Sequence, residues 1–310
     1  MKQNSLRAWL LAARPKTLTG AVVPVWAGTS LAWDDGTFQG IPALLCLLFA
    51  CGMQIAANFI NDLYDYLKGT DREDRLGPER ACAQGWITPE AMKRGIGIAL
   101  LLSCLTGCGL LYVCGAELPF NGWELLLTGV LCVVFAFLYT TVLSYQGWGD
   151  LPVLVFFGFV AVGGTYYVQA STLTPRVAVT SVICGLVIDT LLVVNNYRDR
   201  EQDASAGKRT LVVRFGEPFG RYLYLALGVA ATLLCGGLAI DCPPTDIPGT
   251  ASLSLNPTAL LLPLPYLFLH VRTWRKMCAI RSGKKLNSIL GETSRNMLLM
   301  GILLSALLLM

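Results

Sequence analysis

The chain has 310 residues, of which 54% are hydrophobic and only 14% charged, with a mean hydropathy of +0.57. A soluble domain is about a quarter charged, so this composition excludes a water-soluble globule, a disordered segment, collagen and a small disulfide scaffold. The net charge of +4 does not signal nucleic acid, because the basic residues are distributed by membrane topology.

A hydrocarbon core is crossed by about twenty predominantly apolar residues. Such runs predict spans near 17–33, 41–60, 95–115, 123–141, 151–170, 177–196, 221–240, 257–271 and 288–310. The first follows Arg14-Pro15-Lys16 without a small-residue cleavage site, so it reads as a span and not a signal peptide. The eighth is short and carries Pro263 and Pro265. The ninth has Glu292 and Arg295 near its water end, where long polar side chains snorkel. The expected fold is an all-α membrane protein, a bundle of about nine transmembrane helices. The eleven cysteines include no CxxC pair and mostly sit in apolar runs, and His270 is the single histidine, so no zinc site is expected.

Basic residues alternate with the spans. The N-terminus holds four, the connection after span 2 six, that after span 6 six and that after span 8 seven, which leaves Arg176 alone among 24. Positive-inside bias this one-sided predicts a cytoplasmic N-terminus and an outward C-terminus.

The acids collect at the same cytoplasmic face. Span 2 ends in Asn58-x3-Asp62 with Asp65 following; span 6 ends in Asn195-x3-Asp199 with Asp203 following. At about 100° per residue, these offsets fall on one helical stripe. One such cluster reads as a solvated helix end. Two with the same spacing, on one side, point to function. Aligned carboxylates without His or Cys suit Mg²⁺, which shares itself between carboxylates and phosphate oxygens. Lys68, Arg72, Arg75 and Arg80 follow the first cluster, and Arg198, Lys208 and Arg209 surround the second. Together these describe a diphosphate clamp above an apolar interior, an arrangement suited to ionising an allylic isoprenoid diphosphate. Tyr139, Tyr145, Trp148, Phe156, Phe157, Tyr166 and Tyr167 are candidate walls for the allylic cation. Asp189, inside span 6, reads as well as a core aspartate hydrogen-bonded to a neighbouring helix as it does as a functional group.

On these residues the chain resembles the UbiA superfamily of intramembrane prenyltransferases over its full length, as a single domain 1–310 with motif one at 58–75 and motif two at 195–209. Within it, the chain is most similar to the branch that prenylates 1,4-dihydroxy-2-naphthoate. That likeness rests on Ala13 to Leu18, Asn58 to Arg75, Gly147-Trp148-Gly149-Asp150, Gly163 to Gln169, and Asn195 to Asp199 through Ala206 to Leu211. The resemblance implies nine helices, Mg²⁺ as cofactor, and Asn58, Asp62, Asp65, Asn195, Asp199 and Asp203 as metal ligands. It implies a multi-pass protein of the bacterial inner membrane. Its substrates are then a polyprenyl diphosphate and 1,4-dihydroxy-2-naphthoate, the latter losing its carboxylate on transfer. Lys68, Arg75, Arg198, Lys208 and Arg209 are the expected diphosphate residues, with Tyr139 at the substrate. The pattern departs at two places. Gly69 replaces the third Asp of motif one, leaving Asp71 and Asp74 as alternatives, and no Lys follows Tyr139, leaving Arg14 or Lys16 to substitute or to neutralise the aromatic carboxylate. The rival readings are another acceptor, such as 4-hydroxybenzoate, and an ion-coupled transporter. Isoprenoid length and oligomeric state are not legible.

Overall fold

The computed structural model describes residues 1–69, 75–238, 240–241, 254–255 and 257–310. Arg72, Asp71 and Asp74 lie outside the described residues. A short helix α1 (Leu6–Ala13) and a single turn at Pro15–Thr17 lead into α2 (Thr19–Asp34). Then follow α3 (Gly40–Leu67), α4 (Pro89–Glu117), α5 (Trp123–Gln146), α6 (Asp150–Ala170), α7 (Pro175–Ser205) and α8 (Leu211–Leu238). After a two-residue antiparallel ladder, Ile240–Asp241 with Ser254–Leu255, come α9 (Pro257–Leu261), α10 (Leu264–Ile280) and α11 (Leu286–Leu308).

Among the described residues, α3 to α8 are the six helices long and apolar enough to cross a membrane. Helices α2 and α10 have 16 and 17 residues, and α11 begins with a polar half containing Glu292 and Arg295. The expected eighth span is divided: a proline cannot continue the hydrogen-bond ladder, and the chain breaks between Leu261 and Leu264 at Pro263.

Helix starts follow from local chemistry. Thr88 caps α4 by accepting from the Ala91 N–H at 3.2 Å, with Pro89 at the first helical position. Thr174 and Pro175 repeat the device on α7, where Thr174 accepts from the Val177 N–H at 3.3 Å. Proline there surrenders an N–H that the helix would leave unbonded anyway.

Helix α7 is the axis of the bundle. Its residues Ile183, Cys184, Val187 and Ile188 join α2, α6, α8 and α11 in the largest apolar cluster. Contact with α6 is close because Gly158 faces the Ser181 carbonyl; a Cβ there would lie 2.5 Å from that oxygen. Small residues at such crossings are expected where lipid removes the hydrophobic drive and packing must hold helices together. Helix α4 instead exposes Ile98, Leu101, Leu102 and Leu105, side chains that water would reject and lipid accepts.

The end opposite the acidic motifs is tied by polar contacts. Arg176 pairs with Asp34 and donates to the Leu308 carbonyl at 2.8 Å, while the Tyr166 hydroxyl donates to Asp35 at 2.6 Å. These join α2, α6, α7 and α11 at that end.

Candidate active site at the acidic mouth of the bundle

Both acidic motifs lie on helix, because α3 runs on to Leu67 and α7 to Ser205. The cavity between them is lined by Asn61 and Asp65 of α3 and by Asn195, Asp199, Gln202 and Asp203 of α7. Arg75, Arg80 and Lys208 supply positive charge to its wall, and Tyr139, Tyr145, Gly149 and Asp150 come from the α5–α6 connection.

That connection is held inward by specific backbone bonds. Helix α5 ends in a wide turn over Tyr139–Leu143, a distortion common near functional sites. The Arg209 N–H donates to the Tyr145 carbonyl at 2.9 Å, and Arg214 Nη2 donates to the Gln146 carbonyl at 2.5 Å. Gly147 takes φ +80°, and a Cβ there would meet the Arg209 carbonyl. Glycine is therefore required at this position both by conformation and by space.

Each predicted acid is placed individually. Asp65 is paired with Arg80 Nη2 at 3.2 Å, Asp199 with Arg198 at 2.5 Å, and Asp203 with Lys208 at 3.6 Å. Asp62 turns elsewhere. Its two oxygens accept from the Ala81 and Cys82 N–H groups at 2.9 and 3.0 Å, and it is 1% exposed. Asn58 likewise donates to the Ala13 carbonyl at 2.9 Å and to Thr17 Oγ1 at 3.0 Å, fastening α3 to the N-terminal segment. Neither lines the cavity.

The basic residues divide in the same way. Lys68 Nζ donates to the Thr141 carbonyl at 2.9 Å and sits 3.8 Å above the Tyr145 ring. Partial desolvation lowers the pKa of this ammonium; Asp65 opposes the shift and Lys208 adds to it. Arg14 is half-buried within electrostatic reach of Asp65, whereas Lys16 and Arg209 are exposed.

Arg198 is buried behind the cavity. Its Nε and Nη2 donate to the two Asp199 oxygens at 2.7 and 2.5 Å, Nη2 also to Asn195 Oδ1 at 2.6 Å, and Nη1 to Asn287 Oδ1 at 3.0 Å. Gly77 lies against this guanidinium, 2.7 Å from where its Cβ would stand. Asn287 Nδ2 donates to the Leu76 carbonyl at 2.8 Å, and Gln202 Oε1 accepts from the Leu76 N–H. The 75–80 segment is thereby clamped onto α7 and α11, which carries Arg75 and Arg80 to the cavity.

The reading of Asp189 as a hydrogen-bonded core residue is corrected: it is 6% exposed and its Oδ1 has no hydrogen-bond partner. Asn61, Gln202 and Asp150 line the cavity but were not among the expected site residues. Asn61 and Gln202 sit on the two acidic stretches, and Asp150 opens α6 in Gly147-Trp148-Gly149-Asp150, a glycine-rich turn between two apolar spans.

Among the described residues no three His, Cys, Asp or Glu side chains form a metal cage. The donors facing the cavity are oxygens from separate carboxylates and amides. That set fits Mg²⁺, which takes one or two protein carboxylates and completes its shell with water and phosphate.

The cavity thus gathers acids, amides and cations between the ends of helices long and apolar enough to cross a membrane. The model of the UbiA prenyltransferase family matches residues 21–288, and the chain belongs to that family. It is 42% identical over 233 residues to 1,4-dihydroxy-2-naphthoate octaprenyltransferase of Escherichia coli, covering 74% of this chain and 75% of that one. The enzyme of the same name from Haemophilus influenzae is 38% identical over 241 residues, covering 74% and 77%. A UbiA homologue from Archaeoglobus fulgidus, solved with GPP and Mg²⁺, shares the fold with a TM-score of 0.62 at 14% identity, over 96% of this chain and 99% of that one.

Proposed function

We propose that this protein transfers a polyprenyl group from an allylic diphosphate to 1,4-dihydroxy-2-naphthoate, releasing diphosphate and carbon dioxide and giving a demethylmenaquinol. The observation that carries this reading is the convergence of Asp65, Asp199 and Asp203 with Arg75, Arg80 and Lys208 at the mouth of an apolar bundle. The 42% identity to an enzyme named for this acceptor supports the choice of substrate.

Asp65, Asn195, Asp199 and Asp203 would hold Mg²⁺, with Asp71 and Asp74 as further carboxylates of motif one. When bound, the ion neutralises the departing diphosphate. Arg75, Lys68 and Lys208 add cationic charge around the same oxygens, in a site where few waters compete. Arg198 fixes the rotamers of Asp199 and Asn195, so its role is to orient ligands and not to touch phosphate. Tyr139 and Tyr145 line the wall beside which an allylic cation would form. The apolar helices below receive the isoprenoid tail and exclude water that would capture the cation. Arg14, within electrostatic reach of Asp65, would neutralise the aromatic carboxylate.

The fuller architecture belongs to this reading. The chain is a single domain; α2, α10 and α11 complete nine spans; the N-terminus is cytoplasmic and the C-terminus faces outward in a bacterial inner membrane.

The test is an acceptor competition with purified protein, geranylgeranyl diphosphate, Mg²⁺ and equal 1,4-dihydroxy-2-naphthoate and 4-hydroxybenzoate, read by product mass. A decarboxylated prenyl-naphthoquinol that disappears with EDTA is expected. Prenylated hydroxybenzoate would overturn the acceptor, and absence of any prenylated product would overturn the reaction.

A further inference from the structure

Below the diphosphate clamp the cavity wall contains a carboxylate for which the clamp has no use. Asp150, the first residue of α6, lines the cavity beside Tyr139 and Gly149, and its Oδ1 is buried without a hydrogen-bond partner. Asp189 lies on α7 within electrostatic reach of Asp150. It is 6% exposed, and its Oδ1 is also unpartnered. Offsets of three, seven, ten and fourteen residues place it on the face that carries Leu192, Asn196, Asp199 and Asp203, all of which line the cavity. At 1.5 Å per residue it stands about 15 Å below Asp199.

Two buried carboxyl oxygens without a hydrogen-bond partner are a stability cost. Buried polar atoms are nearly always hydrogen-bonded, and an apolar pair of similar volume would pack there without penalty. Ionisable groups inside a membrane bundle are retained where chemistry uses them. The proposed reaction has such a use. The acceptor attacks a carbon electrophile from a ring carbon, and its nucleophilicity rises when the neighbouring hydroxyl loses its proton.

Resting on the proposed prenyl transfer, we infer that Asp150 is the proton acceptor for the hydroxyl of the aromatic acceptor, and that Asp189 is the positioning residue behind it. The acceptor's O–H proton passes to the Asp150 carboxylate. The oxygen's electron pair forms the carbonyl as the adjacent ring carbon bonds to the prenyl carbon, whose bond to diphosphate breaks. The C–CO₂⁻ bond then cleaves, carbon dioxide leaves, and the electron pair restores the aromatic ring. The ring oxygen takes the proton back from Asp150. No oxidant or reductant is required, and the proton is borrowed and returned.

The experiment uses the full chain in detergent, with Asp150→Asn and Asp189→Asn alongside Asp150→Glu. Binding of a non-ionising donor, farnesyl thiodiphosphate with Mg²⁺, is measured separately from turnover on 1,4-dihydroxy-2-naphthoate. Loss of a general base is expected to lower turnover by about 100-fold, with donor affinity held within threefold and Asp150→Glu partly active. A ring-fluorinated acceptor, whose hydroxyl is more acidic, should shrink the ratio of wild-type to Asp150→Asn turnover several-fold; a merely structural residue leaves that ratio unchanged. Asn variants within threefold of wild type overturn the inference, as does donor affinity that falls in step with turnover. If the Asn variants unfold, an unchanged ratio between the two acceptors in Asp150→Glu overturns it equally. Where wild type yields no prenyl-naphthoquinol, the proposed function itself fails; where it does and the variants match it, only the inference fails.

Discussion

Arg198 decides whether the second motif is a bare set of ligands or a preset one, and Arg198→Lys tests this. The guanidinium makes four hydrogen bonds, two to Asp199, one to Asn195 and one to Asn287, all between 2.5 and 3.0 Å. A lysine ammonium is a point charge on a different stem and cannot reproduce the planar fork, so it keeps roughly one of them. At about 1.5–3 kcal/mol for each bond to a charged partner, the gross loss is several kcal/mol; relaxation leaves a net cost near 3 kcal/mol, at the low end for a broken buried pair. The ligands then lose their fixed rotamers, and residues that orient ligands typically contribute 10- to 100-fold in metal affinity. The assay is turnover against Mg²⁺ and, at saturating Mg²⁺, against prenyl diphosphate, with a melting curve in detergent. The Mg²⁺ half-saturation should rise about 10- to 100-fold while donor KM stays within threefold. A raised donor KM with unchanged Mg²⁺ dependence refutes the reasoning, because it means that Arg198 holds the diphosphate directly.

Four further outcomes follow from the same geometry. Asp65→Asn and Asp199→Asn should each abolish turnover in protein that still inserts and purifies, measured by product mass; near-normal activity in either removes that residue from the metal site. Asp62→Ala should lower stability by about 2–4 kcal/mol, since two buried N–H groups lose their acceptor at about 1–3 kcal/mol each; an unchanged melting curve contradicts its placement on Ala81 and Cys82. Lys68 must be protonated to attract phosphate, and a lowered pKa brings loss of that charge to lower pH than an ordinary lysine; Lys68→Arg should therefore extend donor binding toward alkaline pH, and coincident pH profiles would count against a phosphate contact. Gly158→Val should destabilise the α6–α7 crossing by about 1–3 kcal/mol through overpacking against the Ser181 carbonyl, read as a lower melting temperature.

Much of this protein was legible in one dimension. Hydrophobic run lengths located the six helices long and apolar enough to cross a membrane, because the bilayer imposes a length that composition must satisfy. The paired Asn-x3-Asp spacing read as helix, and both stretches lie on helix, because helical periodicity alone puts offsets of four and seven or eight on one stripe. What periodicity leaves open is the rotation of that stripe against its neighbours. Asp62 and Asp65 are three residues apart, yet Asp65 faces the cavity and Asp62 faces the turn at residues 80–84. Arg198 and Lys208 look equivalent in sequence, but one is buried behind Asp199 while the other lines the cavity.

Composition and hydrophobic run lengths thus determined the class of fold, since both depend on the residue types themselves and the bilayer repeat; the family came from the likeness of whole motifs. Tertiary structure alone decided which carboxylates share a cavity, that the 75–80 segment returns its cations to it, and that Asp150 joins its wall. Those contacts join α3, α6, α7 and α11 across up to 211 residues of chain, as between Leu76 and Asn287. They are set by how packed helices rotate and cross, which no local pattern encodes.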